Sequence, residues 1–447
     1  MHDLTVGSIP KHIVRLAIPL AIGMVFQTLY LMVDLYFVAR LGDAAIAGVS
    51  AAGNVQFIVM ALTQVLGIGT MVLIAHAAGR KDRHDANLVF NQSLVLAAGA
   101  GLLVLGVGAV LARPYLEFVA ADAATVAAGV TYLYWFLPAL ALQFALISMG
   151  SALRGHGITK PTMVLQMFTV LLNAVLAPVL IAGWGTGRPL GVAGAALAST
   201  ISVAVGVFFL YGYFRRFDRF VEVDRALIRP DLGTWKRLFR IGVPAGGEFA
   251  LMFLSMGVVY WIIRDFGAAA QAGYGVGSRV MQAIFLPAMA VAFAAAPVAG
   301  QNMAARNYPR VRETFWAAAR IGTGVMVAMT LFAHWRPDWL VRPFAGDEAV
   351  LVVAVDFLRT ISWNFAASGL VFTCSGLFQA MGNTLPSMVS STVRLAVFVG
   401  PALWVSRLPG FQLHWTWRVS VVATTLHAIF ALWLLNLEAK RRLPVAG

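Results

Sequence analysis

Hydrophobic residues in this chain are collected in twelve long segments that short polar stretches separate. Most of these segments reach the roughly 20 residues that an α-helix needs to cross a bilayer. They lie near residues 13–39, 44–78, 88–111, 124–153, 160–183, 191–213, 237–263, 269–303, 313–333, 349–380, 386–405 and 416–436. The pattern predicts an all-α polytopic membrane protein with twelve transmembrane helices.

Composition and charge agree with a membrane protein. The 447 residues are 60% apolar and 12% charged, whereas ordinary soluble domains carry about 25% charged residues. The net charge of +14 comes mostly from Lys and Arg at the ends of the apolar segments. It therefore indicates topology and contact with anionic lipid, and we expect no nucleic-acid partner. The single cysteine, Cys374, excludes an intramolecular disulfide.

Cations are concentrated in alternate loops. Lys and Arg are clustered after the second, fourth, sixth and eighth segments and at the C-terminal end, and they are scattered in most other loops. Because cytoplasmic loops carry the excess of Lys and Arg, both termini and the long loop after the sixth segment are predicted to be cytoplasmic. We expect a multi-pass protein of the cell inner membrane.

The second half of the chain repeats the first at a constant offset of 225 residues. The offset aligns RLAIP (15–19) with RIGVP (240–244), Gly42 with Gly267, and Asp122 with Asp347. Each half holds six segments, so both halves insert the same way up. This predicts two six-helix bundles, related by a pseudo-twofold axis, around a central cavity. The predicted domains are an N-terminal lobe (1–215), a cytoplasmic linker (216–236) and a C-terminal lobe (237–447).

One acidic residue, Asp34, interrupts the first apolar segment. Placing its charge in hydrocarbon costs on the order of 3 kcal/mol, so its side chain is expected to face protein or a cavity. Tyr30 and Gln27 precede it by one and two helical turns and lie on the same face. Asp34 can be explained as a purely structural hydrogen-bonding group, but Ser, Thr or Asn would serve that purpose at less cost. We therefore favour a functional role.

Short motifs in a fixed order resemble the multidrug and toxin extrusion family, MATE, over nearly the whole chain. They are VDLYFVARLG (33–42), ALRGHGITKPTM (152–163), NAVLAPVLI (173–181) followed by GVAGAALASTIS (191–202), and LFQAMGNTLPSM (377–388). The resemblance implies a twelve-helix, two-lobed antiporter. Such proteins export organic, often cationic compounds in exchange for protons or sodium ions.

The resemblance also implies a cation or proton site. Asp34 matches the carboxylate of the first helix, and Tyr30 and Asn173 match its partners in prokaryotic members. Thr200 matches a hydroxyl of the sixth helix, and either Tyr132 or Tyr134 supplies a phenol. The substrate cavity is expected to include a further set of residues, namely Gln27, Tyr132, Tyr134, Glu248 and Met252.

Three positions depart from the family pattern. Ala177 replaces a second fifth-helix acid, and Met252 and Ser368 stand where C-terminal acids are found. Coupling is therefore expected to rest on the N-terminal lobe, and a proton is preferred over sodium, although Na⁺ at Asp34 stays open. Glu248 lies one turn before the family position, and its alternative role is a salt bridge to an intramembrane arginine such as Arg279 or Arg394.

No enzyme motif is present: the chain lacks a P-loop, an HExxH sequence and a metal-spaced His/Cys cluster. We expect a transporter without a cofactor, a monomer whose partners are small organic cations, H⁺ or Na⁺, and membrane lipids. The alternative within transport is a lipid-linked sugar flippase, with Arg279, Arg320 and Arg394 as candidates for pyrophosphate binding. The alternative from another class is a lipid-modifying membrane enzyme.

Overall fold

The structure, a computed structural model, describes residues 2–119, 122–185, 187–218, 220–344 and 347–443, without the side chains of residues 31, 35 and 39. Within these ranges the chain forms α-helices joined by short loops and 3₁₀ turns. In order, the α-helices are α1 (Ile9–Val38), α2 (Asp43–Gly79), α3 (Arg83–Val119), α4 (Ala123–Gly155), α5 (Lys160–Ala182), α6 (Gly191–Arg216), α7 (Leu232–Ile263), α8 (Ala268–Ala304), α9 (Tyr308–Trp335), α10 (Pro337–Val341), α11 (Glu348–Ile361), α12 (Asn364–Ala380), α13 (Leu385–Val405) and α14 (Leu413–Arg442).

The prediction of twelve apolar segments is confirmed. Eleven helices of the described residues are long and apolar enough to cross a membrane, and the bent pair α11 and α12 makes a twelfth span. The pair corresponds to the apolar segment near 349–380, which is bent by 59° between its two helices. The five-residue helix α10 was not predicted, because it is far too short to show a hydrophobic period.

The bend in the tenth span follows from hydrogen bonding around Ser362 rather than from a proline. The Thr330 hydroxyl of α9 donates to the Ser362 carbonyl at 3.0 Å, which gives that carbonyl a partner outside its own helix. The Ser362 hydroxyl lies 2.9 Å from Nδ1 of His334 on the same neighbouring helix. Groups that insert into the backbone ladder in this way kink helices.

The 225-residue repeat is visible in local structure. Asp122 and Asp347 both occupy N-cap positions, where their side chains accept hydrogen bonds from Thr125 N at 2.7 Å and Ala349 N at 3.4 Å. Gly42 and Gly267 both have positive φ, 103° and 86°, in the turns that follow the first helix of each half. Residues with a Cβ adopt this conformation rarely, which accounts for glycine at both positions.

The chain divides into two compact units: one comprises residues 1–3 and 22–246, and the other comprises residues 4–21 and 247–447. Both divisions fall within helices, near Pro19 in α1 and near Pro244 in α7. The beginning of α1 therefore packs with the second unit, and the beginning of α7 packs with the first. The predicted linker (216–236) also lies in the first unit, and the predicted domain bounds remain a prediction.

Each unit has its own apolar core. In the first unit it is built mainly by α2, α3, α4 and α6 around residues such as Leu116, Leu133 and Leu140. In the second unit it is built by α8, α9, α11 and α14 around Phe357, Phe365 and other buried residues, including Trp417.

The segment after α6 is held against α3 by three amide side chains. Asn91 donates to Glu222 O at 3.0 Å, Gln92 donates to Leu227 O and Arg229 O at 2.7 Å each, and the Asn87 side chain accepts from Glu222 N at 2.7 Å. We name residues 217, 218 and 220–231 the strap. Because backbone groups of Glu222, Leu227 and Arg229 are paired with side chains of α3, the strap packs as part of the first unit.

Candidate functional site

Asp34 lies in the second half of α1 and is 9% exposed. The Tyr132 hydroxyl of α4 donates a hydrogen bond to its Oδ2 at 3.4 Å. Tyr132 is itself buried, since Phe136 packs beside it with ring centroids 5.1 Å apart. The structure therefore brings the acidic residue and one of the two candidate phenols into direct contact.

Tyr30, one turn before Asp34, extends the polar cluster towards α5 and α6. The Asn173 amide of α5 donates to the Tyr30 hydroxyl at 3.2 Å and lies 3.5 Å from the Ser199 hydroxyl of α6. We call these five residues, Asp34, Tyr30, Tyr132, Asn173 and Ser199, the Asp34 cluster. Four helices of the first unit contribute to it, so its geometry depends on their packing.

Two buried oxygens of the Asp34 cluster have no hydrogen-bond partner among the described residues. They are Oδ1 of Asp34 and Oδ1 of Asn173. Buried polar atoms are nearly always hydrogen-bonded, so such a pair calls for an explanation. The carboxylate oxygen can take a proton or a cation, and the amide oxygen can accept a hydrogen bond or coordinate a cation.

The surroundings of the cluster are apolar. Ala177, one turn after Asn173 and at the position where the resemblance implies a second acid, is fully buried in the core of the first unit. No Lys or Arg forms a salt bridge with Asp34 among the described residues. An ionised carboxylate in such a place is costly unless it is neutralised, and a bound proton or cation neutralises it.

Three residues predicted in the N-terminal half lie outside the Asp34 cluster. Thr200 donates to the Trp135 carbonyl of α4 at 2.7 Å and so fastens α6 to α4. Tyr134 is 45% exposed, and its hydroxyl donates to the Ala109 carbonyl of α3 at 3.1 Å. Gln27 is exposed on α1. Of the two phenols that the sequence left open, the structure brings only Tyr132 to Asp34.

Ser199 is the residue of the cluster that the sequence analysis missed. It stands beside Thr200 in the motif ASTIS, and the hydroxyl at 200 was chosen in its place. Adjacent residues on an α-helix differ by about 100° in direction, so only one of the two faces Asn173. Ser199 is 1% exposed, but this burial is visible only in the structure, and the sequence carries no signal that separates Ser199 from Thr200.

Glu248 forms a separate polar cluster in the second unit. Its Oε2 accepts hydrogen bonds from the Ser375 hydroxyl at 3.0 Å and the Ser387 hydroxyl at 2.7 Å. The suggested salt bridge with Arg279 or Arg394 is wrong, because serines of α12 and α13 are the partners and no described arginine is within ion-pair distance. Met252, one turn later on α7, is 41% exposed.

The second unit has no counterpart of the Asp34 cluster. The offset of 225 residues relates Asp34 to Val259, Tyr132 to Phe357 and Asn173 to Phe398. These three residues are all buried in the apolar core of the second unit, with exposures of 9%, 2% and 4%. The equivalent positions thus hold an acidic site in the first unit and apolar side chains in the second.

The model of a protein family described as MatE matches this chain twice, over residues 19–179 and residues 244–404. The chain belongs to the MatE family. The two matched ranges are separated by the same 225 residues that relate the halves, which agrees with a duplicated six-helix unit. The resemblance to the MATE family was argued from short motifs, and this match confirms it.

Curated relatives of this MATE chain carry drug-resistance names. It is 25% identical over 412 residues to the probable multidrug resistance protein YoeA of Bacillus subtilis (strain 168), covering 90% of this chain and 88% of YoeA. It is 26% identical over 433 residues to the multidrug export protein MepA of Staphylococcus aureus (strain N315), covering 95% and 94% of the two chains.

Solved structures share the two-lobed fold. A transporter of the MOP superfamily from Pyrococcus furiosus Vc1 (DSM3638) superposes with a TM-score of 0.92 at 24% identity, over 99% of this chain and 98% of its own. An outward-facing multidrug resistance transporter of the MATE family gives the same TM-score, identity and coverage. At this identity the likeness shows the fold alone.

Proposed function

We propose that this MATE chain is a secondary active multidrug exporter that exchanges organic, often cationic compounds for protons. It is proposed to lie in the cell inner membrane with both termini in the cytoplasm. Family membership and the names of the curated relatives support export of drugs. The observation that carries the coupling part is the Asp34 cluster: a buried carboxylate with one phenol donor and an unpaired Oδ1.

In the proposed mechanism, proton and substrate compete for Asp34. When ionised, the carboxylate attracts an organic cation, because an uncompensated charge at this depth is costly. When protonated, it is neutral and no longer attracts the substrate. Mutually exclusive binding of this kind is the minimum that antiport requires.

Protonation also changes the hydrogen bonds within the cluster. A protonated Asp34 becomes a donor through the oxygen that carries the proton, whereas the ionised group only accepts. The unpaired Oδ1 of Asn173 gives the cluster a spare acceptor. We propose that α1 repacks against α4 and α5 when Asp34 changes state, and that this shifts the populations of inward-open and outward-open forms.

Sodium is the competing ion. Asp34, Tyr30, Asn173 and Ser199 offer oxygens of the kind that hard cations prefer. The proton is favoured because the cluster contains a single carboxylate: Ala177 fills the position of the second one. One proton neutralises a single carboxylate, whereas a metal ion at this site would have that carboxylate as its one anionic ligand.

The test is efflux from proteoliposomes. Purified full-length protein is reconstituted, loaded with a fluorescent organic cation, and energised by a proton gradient or a sodium gradient alone. We expect the proton gradient to drive efflux and the sodium gradient to leave it at the leak rate. Efflux driven by sodium alone would contradict proton coupling, and no efflux under either gradient would contradict export of organic cations.

A further inference from the structure

A groove of about 360 Å³ lies along α13 and α14 in the second unit. Its walls are mostly apolar and include Val397, Leu426 and Ile429, with the stacked rings of Phe430 and Trp433 along one side at 5.6 Å. Two polar side chains, Arg394 and His427, also line it. The groove is separate from the Asp34 cluster, since all of its residues belong to the other unit.

The guanidinium of Arg394 has no anionic partner. Among the described residues it forms no salt bridge and no hydrogen bond, and the charged or titratable groups that act on it are the phenol of Tyr274 and the ring of His427. His427 is occupied on its other side, because its Nε2 lies 3.2 Å from the Ser390 hydroxyl. A cation within a membrane span usually pairs with an anion or a backbone carbonyl, so Arg394 is an exception to be explained.

The position of Arg394 along its helix explains why the guanidinium requires an anion. Arg394 lies near the middle of α13 (Leu385–Val405), roughly 14 Å along the helix from Leu385 at about 1.5 Å per residue. The hydrocarbon core is about 30 Å thick, so the backbone at Arg394 is near mid-membrane. A cation at this depth is costly unless an anion pairs with it, and a carboxylate bound to the guanidinium removes that cost.

The volume of the groove narrows the class of anion. A volume of 360 Å³ is near the lower end of the roughly 300–1,000 Å³ of small-molecule sites. It suits one aliphatic chain beside aromatic rings better than the two chains of a phospholipid. The apolar walls match such a chain, and the single guanidinium matches a single carboxylate, with which it can form two parallel hydrogen bonds.

We propose that this groove binds a single-chain carboxylic acid amphiphile from the membrane, with the carboxylate on Arg394 and the chain along Phe430 and Trp433. This chain would then bind two classes of ligand: cations at Asp34 in the first unit and lipophilic anions at Arg394 in the second. It goes beyond the proposed export of organic cations, and its occupation does not depend on Asp34.

The experiment uses bromine as a short-range quencher of Trp433. Full-length protein in nanodiscs of zwitterionic lipid is titrated with stearic acid dibrominated at mid-chain, and separately with its methyl ester. The part of the quenching that Trp433→Phe removes reports on the groove. We expect this part to saturate with the acid and to be weak with the ester, and unbrominated stearic acid to reverse it.

Substitutions test whether the positive charge of Arg394 binds the carboxylate. Arg394→Gln should raise the half-saturating concentration by roughly tenfold or more, whereas Arg394→Lys, which keeps the charge, should raise it less. Arg320→Gln removes an exposed arginine of another span and should bind like wild type, and Asp34→Asn should also bind like wild type. Thermal unfolding of each variant verifies that it is folded.

Three results would overturn the proposal. The first is equal affinity of the acid and the ester, which would mean that any acyl chain fills the groove. The second is unchanged binding of the acid by Arg394→Gln. The third is displacement of the acid by an anionic phospholipid at an equal mole fraction. If Arg394→Gln does not fold, the comparison of acid with ester on wild type and the Arg394→Lys titration decide the question. Loss of cation export with intact acid binding would separate this proposal from the export mechanism.

Discussion

The Tyr132 hydroxyl lies 3.4 Å from Oδ2 of Asp34 and is its hydrogen-bond donor, while Oδ1 of the same carboxylate is buried without a partner among the described residues. One oxygen is thus held by α4, and the other is free to take a proton or a cation. This asymmetry is what a site needs if it is to keep its position while its charge changes.

Tyr132→Phe is expected to slow proton-driven efflux by roughly tenfold, because a hydrogen bond to a charged group contributes about 1.5–3 kcal/mol. Tyr134→Phe is the matched control two residues away, since its hydroxyl bonds the Ala109 carbonyl of α3. The measurement is the initial efflux rate of both variants in proteoliposomes. Equal rates for the two variants would mean that contact with Asp34 does not matter for transport.

Ser199 and Thr200 give a second matched pair. Ser199→Ala removes the hydroxyl beside Asn173 and is expected to change the pH at which efflux is half-maximal. Thr200→Val removes the bond to Trp135 O and is expected to lower thermal stability by about 1 kcal/mol without moving that pH. Efflux at several pH values, with melting curves of both variants, checks this. The reverse pattern would place Thr200, not Ser199, in the coupling site.

Glu248→Gln is expected to keep most of the proton-driven efflux, in contrast to Asp34→Asn. Its Oε2 already accepts hydrogen bonds from Ser375 and Ser387, and a glutamine oxygen can accept the same two bonds. The measurement is efflux by the two variants at equal protein content. If Glu248→Gln abolishes efflux while the protein still folds and inserts, ion coupling also involves the second unit.

The strap makes a prediction about stability. Asp218 and His156 form a fully buried pair at 2.7 Å outside the apolar spans, and breaking such a pair costs about 3 kcal/mol. Asp218→Asn should therefore lower the apparent melting temperature by several degrees. Asp224→Asn is the control, because Asp224 is exposed and only caps the Ala226 N–H. Equal melting temperatures for the two variants would show that the buried pair contributes little.

The pH dependence of that contribution has a definite sign. Burial alone raises the pKa of Asp218, but the hydrogen bond from His156, its charge, and the backbone N–H groups of Val221 and Phe220 outweigh burial and hold the pKa below its ordinary value. A carboxyl group of lowered pKa stabilises the fold above its unfolded pKa of about 3.9 and loses this effect as the pH falls through the folded value. The melting temperature should therefore fall as the pH drops below about 4, and Asp218→Asn should remove this part of the fall.

Hydrophobic periodicity predicted the spans well because a helix in lipid must be apolar over its whole length. The turn at Gly42 and the helix cap at Asp122 could be predicted equally well, since each depends on the type of the residue itself. The same residue types recur 225 positions later. The bend at Ser362 could not be predicted from the sequence. It depends on a hydroxyl of another helix, Thr330, and no local residue marks it.

The site was predicted in part for a similar reason. The placement of Asp34 on the face of Tyr30 follows from helical spacing, so it could be predicted without tertiary contacts. The choice between Tyr132 and Tyr134, and between Ser199 and Thr200, depends on how α4 and α6 are rotated about their own axes. That rotation is set by packing across four helices, and no single segment encodes it.

The central claim is that proton and substrate compete for Asp34, and proton release on substrate binding tests it most directly. An organic cation is added to full-length protein in weakly buffered detergent solution near neutral pH, and the released protons are counted with a pH indicator dye. For wild type we predict release of up to one proton per substrate bound, falling as the pH rises. Asp34→Asn should release none, and Glu248→Gln should match wild type. Equal proton release by wild type and Asp34→Asn would contradict the mechanism.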